Sequence, residues 1–228
     1  MIARKSPIPP TPWRTPYASW RHFEIAMLRE LLDKVAAVNC QFLEALVHCA
    51  RSDNLEFPLP ASLREQVARL TVHQQETVGR CGVILAEVSL CDITCGRGIT
   101  DQSRVVDSTE QARHWLPTEL SMSLPYCVLF ISWYLVHANP DVARVLLGID
   151  ASGVAAYREL GVQDIAHIAR THPDCVRPRW GSHLEAWTVI LEGASSTPYA
   201  DARSMTLRCL QVSAGAAGID LQLGSPSS

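Results

Sequence analysis

The stretch of sequence that decides the fold reads Leu147-Gly-Ile-Asp-Ala-Ser-Gly-Val-Ala-Ala-Tyr-Arg-Glu-Leu-Gly-Val-Gln-Asp-Ile-Ala-His-Ile-Ala-Arg-Thr-His-Pro-Asp-Cys-Val-Arg-Pro-Arg-Trp180. Gly148 follows an apolar helical run and stands where a glycine commonly ends a helix. Beyond it, apolar residues recur at helical spacing on both sides of Gly161. The pattern therefore predicts helices at 151–160 and 162–171, joined by a turn at Gly161.

Helical periodicity also extends outward from this stretch. Upstream, Pro140 suits the first turn of a helix over 141–147, and Asn139 suits its N-cap. In the first half of the chain, apolar residues recur at spacings of three and four from Trp20 to Arg51. Such a long amphipathic helix needs another helix to cover its apolar stripe. Shorter helices are predicted at 61–70, 73–81 and 183–191.

The two halves of the chain repeat each other. Leu46-Val-His matches Leu135-Val-His at an offset of 89 residues, and Ala61-Ser matches Ala151-Ser at an offset of 90. At the offset of 90, three further identities follow in the same order: Leu70 with Leu160, Val72 with Val162, and Arg80 with Arg170. Two copies of one module can cover each other's apolar faces, so we expect an all-α intramolecular pseudo-dimer.

The stretch 147–180 resembles the core of FlhD, the smaller subunit of the bacterial flagellar master regulator. The resemblance rests on the Leu-Gly-Ile turn, on Leu160 and Val162, on the late apolar pair Ile168-Ala169, and on the basic-aromatic ending. It covers roughly residues 25–95 and 120–192, and the first copy has Phe57-Pro-Leu-Pro in place of the turn. The family implies an all-helical, cytoplasmic transcription-factor subunit whose zinc-carrying partner, FlhC, makes much of the DNA contact. It normally has one copy per chain, so the tandem duplication is a departure.

The chain is expected to divide into five segments. They are a Pro-rich N-terminal arm at 1–19, a first FlhD-like module at 20–95, a linker at 96–118, a second FlhD-like module at 119–212 and a flexible tail at 213–228. The arm carries aromatic residues, which predict docking either on the body of the protein or on a partner.

Composition narrows the classes of function. The net charge is −3 and the pI is near 6.2, so DNA binding requires a local patch or a basic partner. The chain has no apolar stretch long enough to span a membrane and begins without the apolar region of a signal peptide, so we expect a cytoplasmic protein.

The eight cysteines and the lack of catalytic motifs limit the metal sites and enzymatic activities that we expect. In the cytoplasm the thiols should be mostly buried and reduced. Cys91 and Cys95 form a close pair, but no second pair with zinc-ligand spacing follows, so we expect neither a metal nor a cofactor. The chain contains no signature of a nucleophile elbow, a phosphate-binding loop or a zinc protease, which predicts that it is not an enzyme.

The candidate DNA-binding residues are Arg170, His172, Arg177, Arg179 and Trp180. Arginine contacts phosphates and base edges, while tryptophan packs or stacks. In an extended segment Arg177 and Arg179 would point the same way. The alternative is a solvated edge with Trp180 in the core. Residues 154–170 also resemble a helix-turn-helix, although His167 stands where that motif has an apolar residue, so a packed helical hairpin is the alternative.

Two functions from different classes follow. The first is a non-enzymatic transcriptional regulator subunit that acts on DNA together with a basic FlhC-like partner. The second is a helical adaptor, for example one associated with secretion, that does not bind DNA. Either could assemble as a homo- or hetero-oligomer, and an adjacent FlhC-like gene would favour the first.

Overall fold

The computed structural model describes residues 17–52, 56–88, 90, 115–117, 119–181, 183–195 and 207–211, with side chains from residue 26 onward. Of these residues, 73% are helical and 4% are in strands, which confirms the all-α class. Residues 1–16 of the predicted arm, most of the predicted linker and the predicted tail at 213–228 lie outside the described residues.

The described elements alternate one long helix with several short ones in each half. In the first half they are α1 (Tyr17–Arg51), a 3₁₀ turn (Ala61–Leu63), α2 (Arg64–Ala68), α3 (Val72–Gly79) and β1 (Ala86–Val88). In the second half they are α4 (Ser123–Ala138), α5 (Pro140–Leu147), α6 (Ala151–Glu159), α7 (Val162–Thr171), a 3₁₀ turn (Pro173–Cys175), β2 (Val176–Pro178) and α8 (Leu184–Ser195). Residues 207–211 form one further helical turn.

Helix α1 forms one side of the core. Its buried residues recur at helical spacing, and the helix packs against α2, α3 and α4. Phe42 lies in the C-terminal half of α1 and is fully buried. Its ring meets Trp115 edge-on at 5.7 Å and Trp187 of α8 at 6.5 Å. Trp115 and Leu116 fall within the segment expected to be a linker, yet both are buried. The end of that segment is therefore part of the core.

Helix α4 lies at the centre of the second half, and α5, α6 and α7 pack around it. The predicted caps of α5 are confirmed. Asn139 Oδ1 accepts a hydrogen bond of 3.1 Å from the Val142 N–H, and Gly148 ends the helix at φ 64°. A positive φ suits glycine because it has no Cβ to clash with the backbone.

A two-stranded antiparallel ladder joins the halves, and no sequence pattern predicts it. Ala86 pairs with Pro178, Glu87 with Arg177, and Val88 with Val176. Three-residue strands are too short to show an alternating pattern, and proline in β2 argues against a strand by composition. The pairing depends on contacts between distant segments.

Arg179, directly after β2, binds both halves at once. Its Nη1 donates to the Leu146 carbonyl at 2.7 Å and to the Ile84 carbonyl at 3.2 Å, while its backbone N–H donates to the Leu85 carbonyl at 2.8 Å. The guanidinium also occupies the space beside Gly148, where an added Cβ would lie 1.6 Å from Nη2. The glycine of the Leu-Gly-Ile turn is therefore required both for backbone conformation and for this space.

We predict that Gly148→Ala strongly destabilises the fold. Alanine at positive φ costs about 1–2 kcal/mol, and displacing the guanidinium deprives the buried Ile84 carbonyl of its Arg179 donor at about 1–3 kcal/mol. The Leu146 carbonyl would keep its hydrogen bond of 3.0 Å from the Ile84 N–H. Urea unfolding should show a loss of at least about 2 kcal/mol.

The matched control is Gly161→Ala. Gly161 has a φ of −85°, and a Cβ there would meet only the carboxylate of Asp164, at 3.3 Å. That change should cost well under half as much. Equal losses of stability for the two variants would contradict the role assigned to the Arg179 contact.

Candidate functional site

Helices α6 and α7 form the helix-turn-helix candidate, and three hydrogen bonds set its geometry. Asp150 accepts from the Gly153 N–H at 2.8 Å and caps α6, and this bond holds the pKa of Asp150 below its ordinary value. Asp164 Oδ2 accepts from the Gly161 N–H at 2.8 Å where α7 begins. Between them, Trp133 Nε1 of α4 donates to the Leu160 carbonyl at 2.8 Å, which ties the turn to the core.

The outer face of α7 is polar. Gln163, His167 and Arg170 are exposed at spacings of four and three, while Ile165 and Ile168 are buried. A helix-turn-helix pattern has an apolar residue at the position of His167. Here that position faces solvent, so a polar side chain fits. Amide, imidazole and guanidinium groups are those that contact phosphates and base edges, so this face is a candidate surface for DNA.

The five predicted DNA-binding residues separate into two groups. Arg170 and Arg177 are exposed and His172 is half-buried, so these three remain candidates. Arg179 and Trp180 are 3% and 8% exposed. Their assignment to a DNA-binding surface is wrong, because a guanidinium bonded to buried carbonyls cannot reach a phosphate. For Trp180, the alternative interpretation as a core residue is confirmed.

The alternation of side chains fails after Pro178 because the chain turns there. The Gly181 N–H donates to the Pro178 carbonyl at 3.1 Å, and Trp180 has a φ of 55°. Within this turn Arg179 points inward, with its guanidinium 4.7 Å from the Trp180 ring centre. Arg177 and Arg179 therefore face opposite environments, although they lie two residues apart.

Arg177 has a carboxylate opposite it. Glu87 is its ladder partner, and partial burial raises the pKa of Glu87 while the charges of Arg179 and Arg177 oppose that rise. Part of the positive charge at Arg177 is thus balanced within the protein. A phosphate that binds Arg177 must compete with this carboxylate.

A second surface, which is not among the sequence-based predictions, lies along α4 and the residue that precedes it. Met122, Tyr126, Phe130 and Tyr134 are each 38–59% exposed and are spaced four residues apart. We call these four residues the α4 stripe. The rings of Tyr126 and Phe130 stack at 5.9 Å, and Phe130 continues to Trp133 at the same distance. Exposed aromatic residues in a contiguous stripe are typical of protein–protein interfaces.

The four-residue spacing of the stripe is the signal that could have revealed it. It is obscured because α4 is apolar on nearly every side, with residues such as Leu129 and Leu135 buried. A run without polar residues does not show which face is exposed.

Within the described ranges, no group of three or more histidine, cysteine or acidic side chains could hold a metal ion. Cys91 and Cys95 lie outside these ranges. Burial raises the pKa of Cys49 to about 11 and that of Cys175 to about 12, so both are protonated at neutral pH.

Comparisons with known proteins give no family. No family model, no curated protein and no solved structure matches this chain. In the part of the chain that the structure describes, no helix has both the length and the apolarity needed to cross a bilayer.

We predict that Glu87 makes stability depend on pH in a direction opposite to that of most acidic residues. Its folded pKa lies above the ordinary value of 4.5, so the folded state binds the proton more tightly than the unfolded chain does. The stability gained by protonation is complete below that value and is lost as the pH rises through the folded pKa. Glu87→Gln should therefore raise the melting temperature at pH 7.

The difference from wild type should vanish near pH 4. Glu44→Gln, a change at an exposed glutamate of α1, serves as the control. Calorimetry at the two pH values measures both variants. A lower melting temperature for Glu87→Gln at pH 7 would show that attraction to the arginines outweighs burial.

Proposed function

We propose that the chain is a tandem of two FlhD-like modules arranged as an intramolecular pseudo-dimer. The register of the ladder carries this proposal. At the offset of 90 residues, Glu87 corresponds to Arg177 and is also its pairing partner. Ala86 and Val88 pair with the residues that correspond to Val88 and Ala86. This reciprocal pattern is that of an isologous interface about a twofold axis.

Local structure at the same offset supports the proposal. Helix α3 begins after Thr71, whose N–H donates to the Gln74 side chain at 2.9 Å. Helix α7 begins after Gly161, whose N–H donates to Asp164 at 2.8 Å. These two residue pairs correspond at an offset of 90, and each closes the first turn in the same way.

Burial supports the same correspondence. Leu70 and Leu160 are buried before these helices, and Val78 and Ile168 are buried within them, whereas Val72 and Val162 are exposed. Helix α1 packs against α2 and α3, and α4 packs against α6 and α7, which correspond to α2 and α3 at the same offset. Helix α5 has no described counterpart in the first half, where residues 50–57 correspond to it and 53–55 lie outside the described residues.

We further propose that the protein is a non-enzymatic regulator subunit that acts on DNA with a basic FlhC-like partner. The resemblance to FlhD, the polar outer face of α7 and the α4 stripe support this assignment. A net charge of −3 makes DNA binding by the isolated chain weak, because phosphate neutralisation supplies most non-specific affinity. The partner supplies that charge, and α7 contributes contacts within the complex.

Arg170 and Arg177 are the two exposed arginines among the candidate DNA-binding residues. We expect Arg170→Ala with Arg177→Ala to weaken DNA binding by the complex with an FlhC-like subunit from the same genome. Each phosphate that the protein no longer neutralises reduces the steepness of log K against log salt by about 0.9, so the double variant should be shallower by up to about 1.8. Gel shifts on one duplex at several salt concentrations measure the slope.

The control variant carries Arg29→Ala with Arg69→Ala. These arginines are exposed on α1 and next to α2, and replacing them changes the net charge equally. This variant should retain the wild-type slope. Equal slopes for all three proteins would remove α7 and β2 from the DNA interface.

The alternative function is that of an adaptor which binds proteins and not DNA. The acidic net charge and the α4 stripe favour it, since neither depends on nucleic acid. If no complex of this chain with an FlhC-like protein binds DNA while the α4 stripe still binds a protein, the adaptor assignment replaces the regulator.

We predict that the α4 stripe is the surface that binds the partner. Replacing Tyr126 and Phe130 by Gln should weaken the complex at least about tenfold, because buried aromatic anchors each contribute about 1–2 kcal/mol or more. Calorimetric titration measures the affinity, and circular dichroism checks the fold. Val72→Gln with Leu184→Gln changes exposed apolar residues elsewhere and should leave the affinity unaltered. Comparable weakening in both variants would contradict the assignment.

A further inference from the structure

A cleft of about 530 Å³ lies between α8 and the helical turn at 207–211. Its wall is apolar and is formed by Trp180, Ala186, Val189, Ile190 and Cys209. Three of these residues lie on one face of α8, at the spacing of three and four residues that places helical side chains next to one another. Small-molecule sites have volumes of about 300–1,000 Å³ and mostly apolar walls, so the cleft has the size and the lining of such a site.

Trp180 contributes a hydrogen-bond donor to this wall. Its Nε1 atom is buried and has no acceptor among the described residues. A buried donor without an acceptor is costly, which favours a ligand that carries an oxygen acceptor. The guanidinium of Arg179 lies over the same ring, 4.7 Å from its centre, so the cleft adjoins the contact between the two halves of the chain.

The exposed residues of the cleft determine which ligand charge fits. They are His183, Glu185, Arg208 and Gln211. Arg208 forms no ion pair within the described ranges, and a guanidinium can bind a carboxylate through two parallel hydrogen bonds. With the imidazole of His183 and the N–H of Trp180, it makes the cleft richer in donors than in acceptors. A carboxylate therefore fits this set of donors, and Glu185 opposes its binding.

We propose that this cleft binds a small apolar carboxylate. The apolar body of the ligand lies along Val189 and Ile190, and its carboxylate accepts hydrogen bonds from Arg208 and from Trp180 Nε1. Because Nε1 is closed to water, the carboxylate reaches it only when the turn at 207–211 moves outward. Three of the five residues of that turn are exposed, so the movement breaks few contacts. This binding site is independent of the DNA-binding proposal.

The primary experiment titrates the full, unmodified chain with octanoate by calorimetry at neutral pH. Octan-1-ol and octylammonium are the matched probes, since they have the same chain length with a neutral or a positive head group. We expect one octanoate per chain, bound at least about tenfold more tightly than either matched probe. The melting temperature should rise with octanoate concentration, because the ligand binds the folded state. Equal affinity for the three probes, or no binding of octanoate, overturns the proposal.

Variants locate the bound octanoate. Arg208→Gln should weaken its binding about tenfold or more, whereas Glu185→Gln should strengthen it, because the two changes remove opposite charges from one opening. Trp180→Phe keeps an aromatic ring but removes the N–H, and it should also weaken binding. Arg170→Gln changes an exposed arginine on α7 and is the control. Unchanged affinity in Arg208→Gln, or an equal loss in Arg208→Gln and Arg170→Gln, contradicts the assigned site. If Trp180→Phe fails to fold, the variants at the two exposed positions still decide.

Discussion

The buried guanidinium of Arg179 is the interaction on which the rest of the structure depends. Its donors satisfy carbonyls at the end of α5 and just before β1, two segments from opposite halves of the chain. Removing a charge from water is costly, and here the cost appears as the pKa of Arg179 lowered by burial to about 10. The hydrogen bonds and the nearby carboxylate of Glu87 offset that cost. A hydrophobic side chain would avoid it but would take the Arg179 donor away from the buried Ile84 carbonyl, whereas the Leu146 carbonyl would keep the Ile84 N–H as its donor.

A second polar clamp approaches the same segment from α1. Asn39 is fully buried, and its amide donates to the Gly79 carbonyl at 3.0 Å and the Val83 carbonyl at 2.7 Å. Its oxygen accepts from the Leu85 N–H at 2.9 Å, while the Leu85 carbonyl accepts from the Arg179 N–H at 2.8 Å. Leu85 is therefore fixed by α1 on one side and by the second half on the other. This double attachment sets the register in which β1 meets β2.

The sequence predicts what depends on local chemistry and misses what depends on distant partners. The helix of α1, the Asn139 cap and the glycine that ends α5 follow from spacing and backbone preference, and all are present. The ladder and the inward course of Arg179 could not be predicted, because the carbonyls that bind its guanidinium come from Ile84 and Leu146, far away in the chain. An arginine near a strand end is usually solvated, so its burial becomes visible only when both halves are assembled.

The two candidate surfaces also differ in how far the local sequence predicts them. The exposed face of α7 follows from helical periodicity once the buried positions Ile165 and Ile168 are known. The α4 stripe does not, because an apolar run conceals its solvent side. With Arg179 and Trp180 in the core, the second half presents Arg170 and Arg177 as exposed members of the proposed cluster, and Glu87 opposes the latter. A surface with so little free positive charge cannot hold a phosphate backbone by itself. For the regulator function proposed above, we therefore expect the chain to bind a basic partner before it binds DNA, so that protein recognition precedes DNA recognition.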